Sequence, residues 1–243
     1  EVTRTSIVST ATGAKHWYWG EELMFDHAVL DPELTLSLPA HLTAWTGIDA
    51  VAHALEAVTS RKSNAGGRLY GLEALRVLSA ALPRAVADGT DIEARGHMLW
   101  GSTIAGLALH NCNTHMGHNI SHALGSLCRI HHGLATGLAL EVTLPWLVAQ
   151  SEGAAHYGQA AEALGRKDGA TGLPGAFEAL ARSSGIAREL PGVCEGLTAE
   201  TLASAMKAPA NHSMSQNAAC PVTDRDLDDM ADMMMALPVA KAT

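Results

Sequence analysis

Six of the chain's 13 histidines, His110, His115, His118, His122, His131 and His132, fall within one stretch of the sequence. Histidines often cap helices or hydrogen-bond in cores, but such crowding is hard to ascribe to scattered core roles, so some of them bind a metal or catalyse. Upstream, Thr46-Gly47-Ile48-Asp49-Ala50-Val51-Ala52-His53-Ala54-Leu55-Glu56 sets Asp49 and His53 four residues apart. Side chains at i and i+4 share a helix face, so Asp49 with His53, and His118 with His122, each form half of a site. Carboxylate oxygen and neutral imidazole nitrogen suit iron or zinc. An isolated Asp-x-x-x-His pair is more often two surface residues than a site. Here, however, Asp49 lies in an otherwise apolar helix, where a buried carboxylate needs a partner or a cation to offset desolvation. Spacing does not choose among all six histidines: it favours His118 with His122, and leaves a loop histidine beside Gly133 to reach in from the side.

The elements that must carry these residues are helical. Hydrophobic residues make up 47% of the 243 and aromatics only 4%, a balance rich in alanine and leucine that favours closely packed helices in one large domain or two small ones. Apolar periodicity predicts helices over 44–59, 66–87, 92–109, 116–127, 134–149, 154–164, 175–183, 198–208 and 224–237, bounded by Gly, Pro or Asn. Gly101 and Gly106 mark close helix contacts. Residues 129–133 read as a loop. Residues 3–9 and 27–30 read as two extended segments at the edge of a sheet. No internal repeat or low-complexity tract is present.

A formal charge of −9, from 16 basic against 25 acidic residues, argues against nucleic acid, whose phosphates call for a Lys/Arg surplus. The apolar run from Gly133 to Ala149 is broken by Glu141 and Pro145 and is shorter than the ~20 residues that span a bilayer, so no membrane helix is expected. The first residues lack the order of a secretory signal. Cys112, Cys128, Cys194 and Cys220 form no C-x-x-C pair and read as reduced thiols of a cytoplasmic protein.

Taken in order, Glu1-Val2-Thr3, Asp31-Pro32-Glu33-Leu34, Thr46-Gly47-x-Asp49-Ala50-x-x-His53-Ala54-x-Glu56, Ala105-Gly106 with Asn111, His118-x-x-x-His122-x-Leu124-Gly125 and His132-Gly133 before Leu144-Pro145 resemble the iron-containing (group III) alcohol dehydrogenases. The match is strong over residues 1–146 and general beyond. The resemblance implies a mostly α fold: a helical bundle domain, the dehydroquinate synthase-like C-terminal domain, over 31–243, with a short β edge over 1–30 left from an α/β nucleotide-binding domain. That domain is expected to lie outside the given sequence, which begins at what resembles the glutamate of its closing motif and holds no G-x-G-x-x-G or P-loop.

The resemblance also implies a ferrous ion, with zinc as the alternative, held by Asp49, His53, His118 and His132, and proton transfer by His122. Lys15, Leu42 and Thr5 occupy positions near the NAD or NADP cofactor. The implied reaction passes hydride between an alcohol or aldehyde and the nicotinamide, with the ion stabilising the developing alkoxide, in a homo-oligomer. Leu109 and Trp17-Tyr18-Trp19 suggest an apolar pocket wall or an edge of the core. Three competing readings remain. A same-fold dehydroquinate synthase-like or maleylacetate reductase-like enzyme is disfavoured by the Asp49/His53 pair. An all-α phosphohydrolase lacks its adjacent His-Asp. The third is a helical fragment that binds metal without catalysing.

Overall fold

The computed structural model describes residues 2–9, 15–150 and 152–240, and the side chains of Ser9, Lys15, His16 and Trp17 lie outside the description. At the N-terminus β1 (Thr5–Ser9) pairs antiparallel with β2 (Lys15–Trp19), Thr5 opposite Trp19 and Ser9 opposite Lys15. The second extended segment is therefore not residues 27–30, which join no strand or helix. Lys-His-Trp-Tyr-Trp is rich in the aromatic residue types that favour a strand.

The rest is helical, as the periodicity implies: α1 (Ala40–Thr59), α2 (Ala65–Ala87), α3 (Ile92–Cys112), α4 (Met116–Cys128), α5 (His132–Ala149), α6 (Ala154–Ala163), α7 (Leu173–Ser183), α8 (Ala199–Met206), the single turn α9 (His212–Gln216) and α10 (Asp224–Met235). Side-chain caps set several starts. Asn64 accepts from the Gly67 N–H and Asp91 from that of Ala94, while Thr223 and Asp226 form a capping box. No helix among the described residues is long and apolar enough to cross a membrane.

Helix α1 is the hub. Thirteen of its 20 residues are buried, so it is enclosed rather than amphipathic, with α2, α3, α5 and α6 around it. Small residues permit the close approach: a Cβ on Gly101 would come within 2.7 Å of Leu78 across the α2–α3 contact. The C-terminal helices clamp α4 from outside. The Asn119 amide donates to the carbonyls of Met206 and Asn211, each at 3.2 Å. Asn217 donates to those of Cys112 and Thr114, at 2.9 and 3.0 Å, so the α3–α4 turn is held as well.

Two departures bear on the site. Helix α3 runs three residues past Leu109, which puts His110 on it. His132 and Gly133, expected in a loop, form the first turn of α5. Gly133 belongs there because a Cβ at that position would lie 2.0 Å from the Trp45 carbonyl oxygen, so the α1–α5 contact is closed by backbone.

Farther along α5 the buried Glu141 pairs with Arg182 of α7 and lies 3.7 Å from Arg188. Burial lifts its carboxyl above the ordinary carboxylate range in spite of both arginines. A carboxyl whose folded pKa is raised contributes its stability below the unfolded pKa and loses it as pH rises through the folded one. The Tm of the wild type minus that of Glu141→Gln should therefore shrink from about pH 4 to about pH 7. Thermal melts across that range check this, and a widening difference contradicts it.

Candidate metal centre

Three donor atoms from three helices converge. Asp49 extends from the middle of α1, His118 from the first turn of α4 and His132 from the first residue of α5. Asp49 Oδ1 lies 3.7 Å from His118 Nε2 and 3.7 Å from His132 Nε2, and the three donors fall within 4.8 Å of one another. These gaps exceed a hydrogen bond and match atoms sharing one ion, since ligands about 2.1 Å from a tetrahedral metal stand about 3.4 Å apart.

The hydrogen-bond network assigns the tautomers. His118 Nδ1 lies 2.6 Å from Glu56 Oε2, an acceptor that requires Nδ1–H and turns the Nε2 lone pair toward Asp49. His132 Nδ1 lies 2.8 Å from Ser121 Oγ, whose own proton goes to the His132 carbonyl at 3.1 Å, so His132 is again Nδ1–H. Asp49 Oδ1 is buried with no hydrogen-bond partner. An orphaned carboxylate oxygen facing two imidazole Nε2 atoms is the donor set a divalent transition metal requires, so these residues fit the implied ion.

Electrostatics agree. Burial pushes the Asp49 carboxyl up, but His53, His132 and His118 together with the Thr136 hydroxyl outweigh it and hold the group below its usual value. His53 is pulled down, chiefly by burial, against the pull of Asp49.

His53 lines the same cavity but stands beside the convergent set. Its ring stacks on that of His118, centroids 4.7 Å and planes 22° apart. His122 is buried on the cavity wall, its centroid 5.4 Å from that of His132. His115 lies behind the site, its Nε2 2.9 Å from Thr59 Oγ1. His131 packs on Trp45, centroids 5.1 Å apart.

The cavity, about 1010 Å³, runs from the three donors to the hairpin, where Thr5 and Arg4 line it, and on its other side to His110, Asn113 and Ser213. Leu109 and Trp19 form part of its wall, as the expected apolar wall requires; exposed Tyr18 does not. Leu42, on α1, is not among the lining residues, and the Lys15 side chain lies outside the described residues. Glu56 and Ser121 have no role in the sequence reading. Glu56 carried the same signal as Asp49, a carboxylate in an apolar helix, whereas nothing marked Ser121.

The family description "Fe-containing alcohol dehydrogenase family, C-terminal" matches residues 43–234, so the chain belongs to that family. Two curated relatives illustrate its range. The chain is 36% identical over 139 residues to the NAD-dependent methanol dehydrogenase of Bacillus methanolicus, covering 57% of this chain and 36% of that protein. It is 37% identical over 147 residues to the long-chain-alcohol dehydrogenase 1 of Geobacillus thermodenitrificans, covering 60% and 37%. The matches thus span little more than a third of these relatives' length. Among solved structures, a sulfoacetaldehyde reductase from Bifidobacterium kashiwanohense, in complex with NAD+, superposes with a TM-score of 0.84 at 27% identity, over 96% of this chain and 61% of that one.

Because Gly133 abuts backbone rather than a movable side chain, Gly133→Ala should displace the first turn of α5 and His132 with it. The expected cost is about 1–3 kcal/mol, together with weaker metal binding. Calorimetry and metal titration of the variant check both, and unchanged binding contradicts the assignment of His132 to the donor set.

Proposed function

We propose that this chain is the metal-holding part of an NAD(P)-linked alcohol dehydrogenase that passes hydride between an alcohol, or its aldehyde, and the nicotinamide. The observation that carries the reading is the meeting of Asp49 Oδ1, His118 Nε2 and His132 Nε2 on the wall of a cavity large enough for a small substrate beside a cofactor ring. Asp49, His118 and His132 hold the ion, and rotation of the His53 ring from its stack would add a fourth donor. Family membership favours iron, with zinc the alternative for the same donors. When bound, the ion supplies Lewis acidity toward the carbinol or carbonyl oxygen.

His122, buried beside the donors, holds or moves the hydroxyl proton, a task suited to an imidazole at neutral pH. Thr5 faces the nicotinamide end of the cavity; Lys15 and Leu42 belong to the cofactor side by resemblance. The helical body over 31–243 acts as the catalytic domain, and residues 1–30 as the tail of a nucleotide-binding domain. A cytoplasmic homo-oligomer completes the reading, and the four cysteines, all free thiols, suit a reducing compartment. The relatives' names run from methanol to long-chain alcohols at nearly the same identity, so identity at this level does not read the substrate's length.

Two measurements test this. Anaerobic loading with Fe2+ should give about one bound ion per chain. Asp49→Asn and His118→Ala should lose that ion while still melting cooperatively, and a His118→Ala variant that keeps it would sink the site. In the chain joined to a nucleotide-binding domain at residue 1, His122→Asn should keep the ion but lower NAD+-linked alcohol oxidation by about 10²-fold. An ion-loaded wild type of that longer protein with no hydride transfer would favour the non-catalytic metal-binding alternative.

A further inference from the structure

We propose that Glu56 is the positioning residue of the metal centre, its carboxylate fixing the His118 imidazole against Asp49 and thereby setting the affinity for the ion. This deepens, and rests on, the reading of the site as a metal centre. Glu56 is fully buried and accepts three hydrogen bonds from the start of α4: from His118 Nδ1 at 2.6 Å, from the His115 N–H at 3.0 Å and from the Gly117 N–H at 2.6 Å. The first N–H groups of a helix have no partner within it, and His115 at the α4 N-cap contributes no side-chain cap. A carboxylate reaching across from α1 supplies the cap and the ligand's anchor together. Gly117 makes room for it, since a Cβ there would come within 3.0 Å of Glu56 Oε1.

Asp49 and Glu56 lie seven residues apart, two turns along one face of α1. One rigid helix therefore carries a ligand and also the anchor of a second ligand, so the 3.7 Å spacing between Asp49 and His118 is set by α1 rather than by free side-chain torsions. At His132 the Ser121 hydroxyl takes the equivalent place. Glu56 also brings a second buried carboxylate to the centre. Asp49 and Glu56 together then balance the charge of a divalent ion.

The test titrates the full chain with Co2+, read by its visible absorption and by competition with a chelator. Glu56→Gln should weaken Co2+ binding by about 10- to 100-fold and move the absorption band, and Glu56→Asp should recover part of the loss. Phe177→Leu, in the buried core of α7, should lower Tm while leaving Co2+ affinity within about twofold. Affinity and spectrum of Glu56→Gln equal to the wild type, or a loss no greater than in Phe177→Leu, would overturn the proposal. A wild type that binds no Co2+ would overturn the metal centre itself, a separate failure. Should Glu56→Gln not fold, histidine-selective 15N NMR of the Zn2+-loaded wild type decides. The proposal requires His118 as the Nδ1–H tautomer with its proton protected from solvent, and an Nε2–H tautomer contradicts it.

Discussion

Two carboxylates in an otherwise apolar, enclosed helix are the constraint around which this molecule is organised. Asp49 and Glu56 sit on α1 among alanine, valine, isoleucine and leucine, where an ionised group without compensation costs several kcal/mol. Glu56 is compensated by the start of α4, which fixes where that helix begins and which way His118 faces. Asp49 is compensated only in part, by the Thr136 hydroxyl and by imidazoles beyond hydrogen-bond reach, and its orphaned Oδ1 defines where an ion belongs. The helices around α1 satisfy one carboxylate and present a ligand cluster to the other.

The turns on either side of α4 show how tightly this is drawn. Asn113, which ends α3, and Arg129, which ends α4, are the non-glycine residues with positive φ among the described residues, at 59° and 54°. Arg129, with ψ 26°, is left-handed, which costs a non-glycine residue about 1–2 kcal/mol, whereas Asn113, with ψ 173°, lies in a positive-φ region that favours glycine. Both permit sharp reversals, so α3, α4 and α5 fold back within a few residues and bring His118 and His132 to Asp49. The polar clamps from Asn119 and Asn217 hold the same segment from the C-terminal side. Local strain beside a cluster of functional donors fits a geometry imposed by the surrounding packing.

Much of this was legible in the sequence, because the signals were local. Helical periodicity marked nearly every helix, and a charged residue in an apolar run drew attention to Asp49. The failures have physical causes. Gly133 reads as a helix breaker, yet it opens α5 because only a residue without Cβ fits against Trp45. The partner of β1 was misplaced because short apolar runs do not declare which of them pair. Helical spacing paired Asp49 with His53, which lines the same cavity with its ring stacked on His118, but it could not pair Asp49 with His118 and His132, which reach it only through the fold. Glu56 and Ser121 reach residues 62 and 11 positions away, so their roles emerge only with the fold.

The most direct test of the account is anomalous diffraction, at the metal absorption edge, from crystals of the Zn2+-loaded chain. The account predicts one strong peak bonded to Asp49 Oδ1, His118 Nε2 and His132 Nε2. A peak held instead by His110, His115 or His131, or none at the three donors, would contradict it.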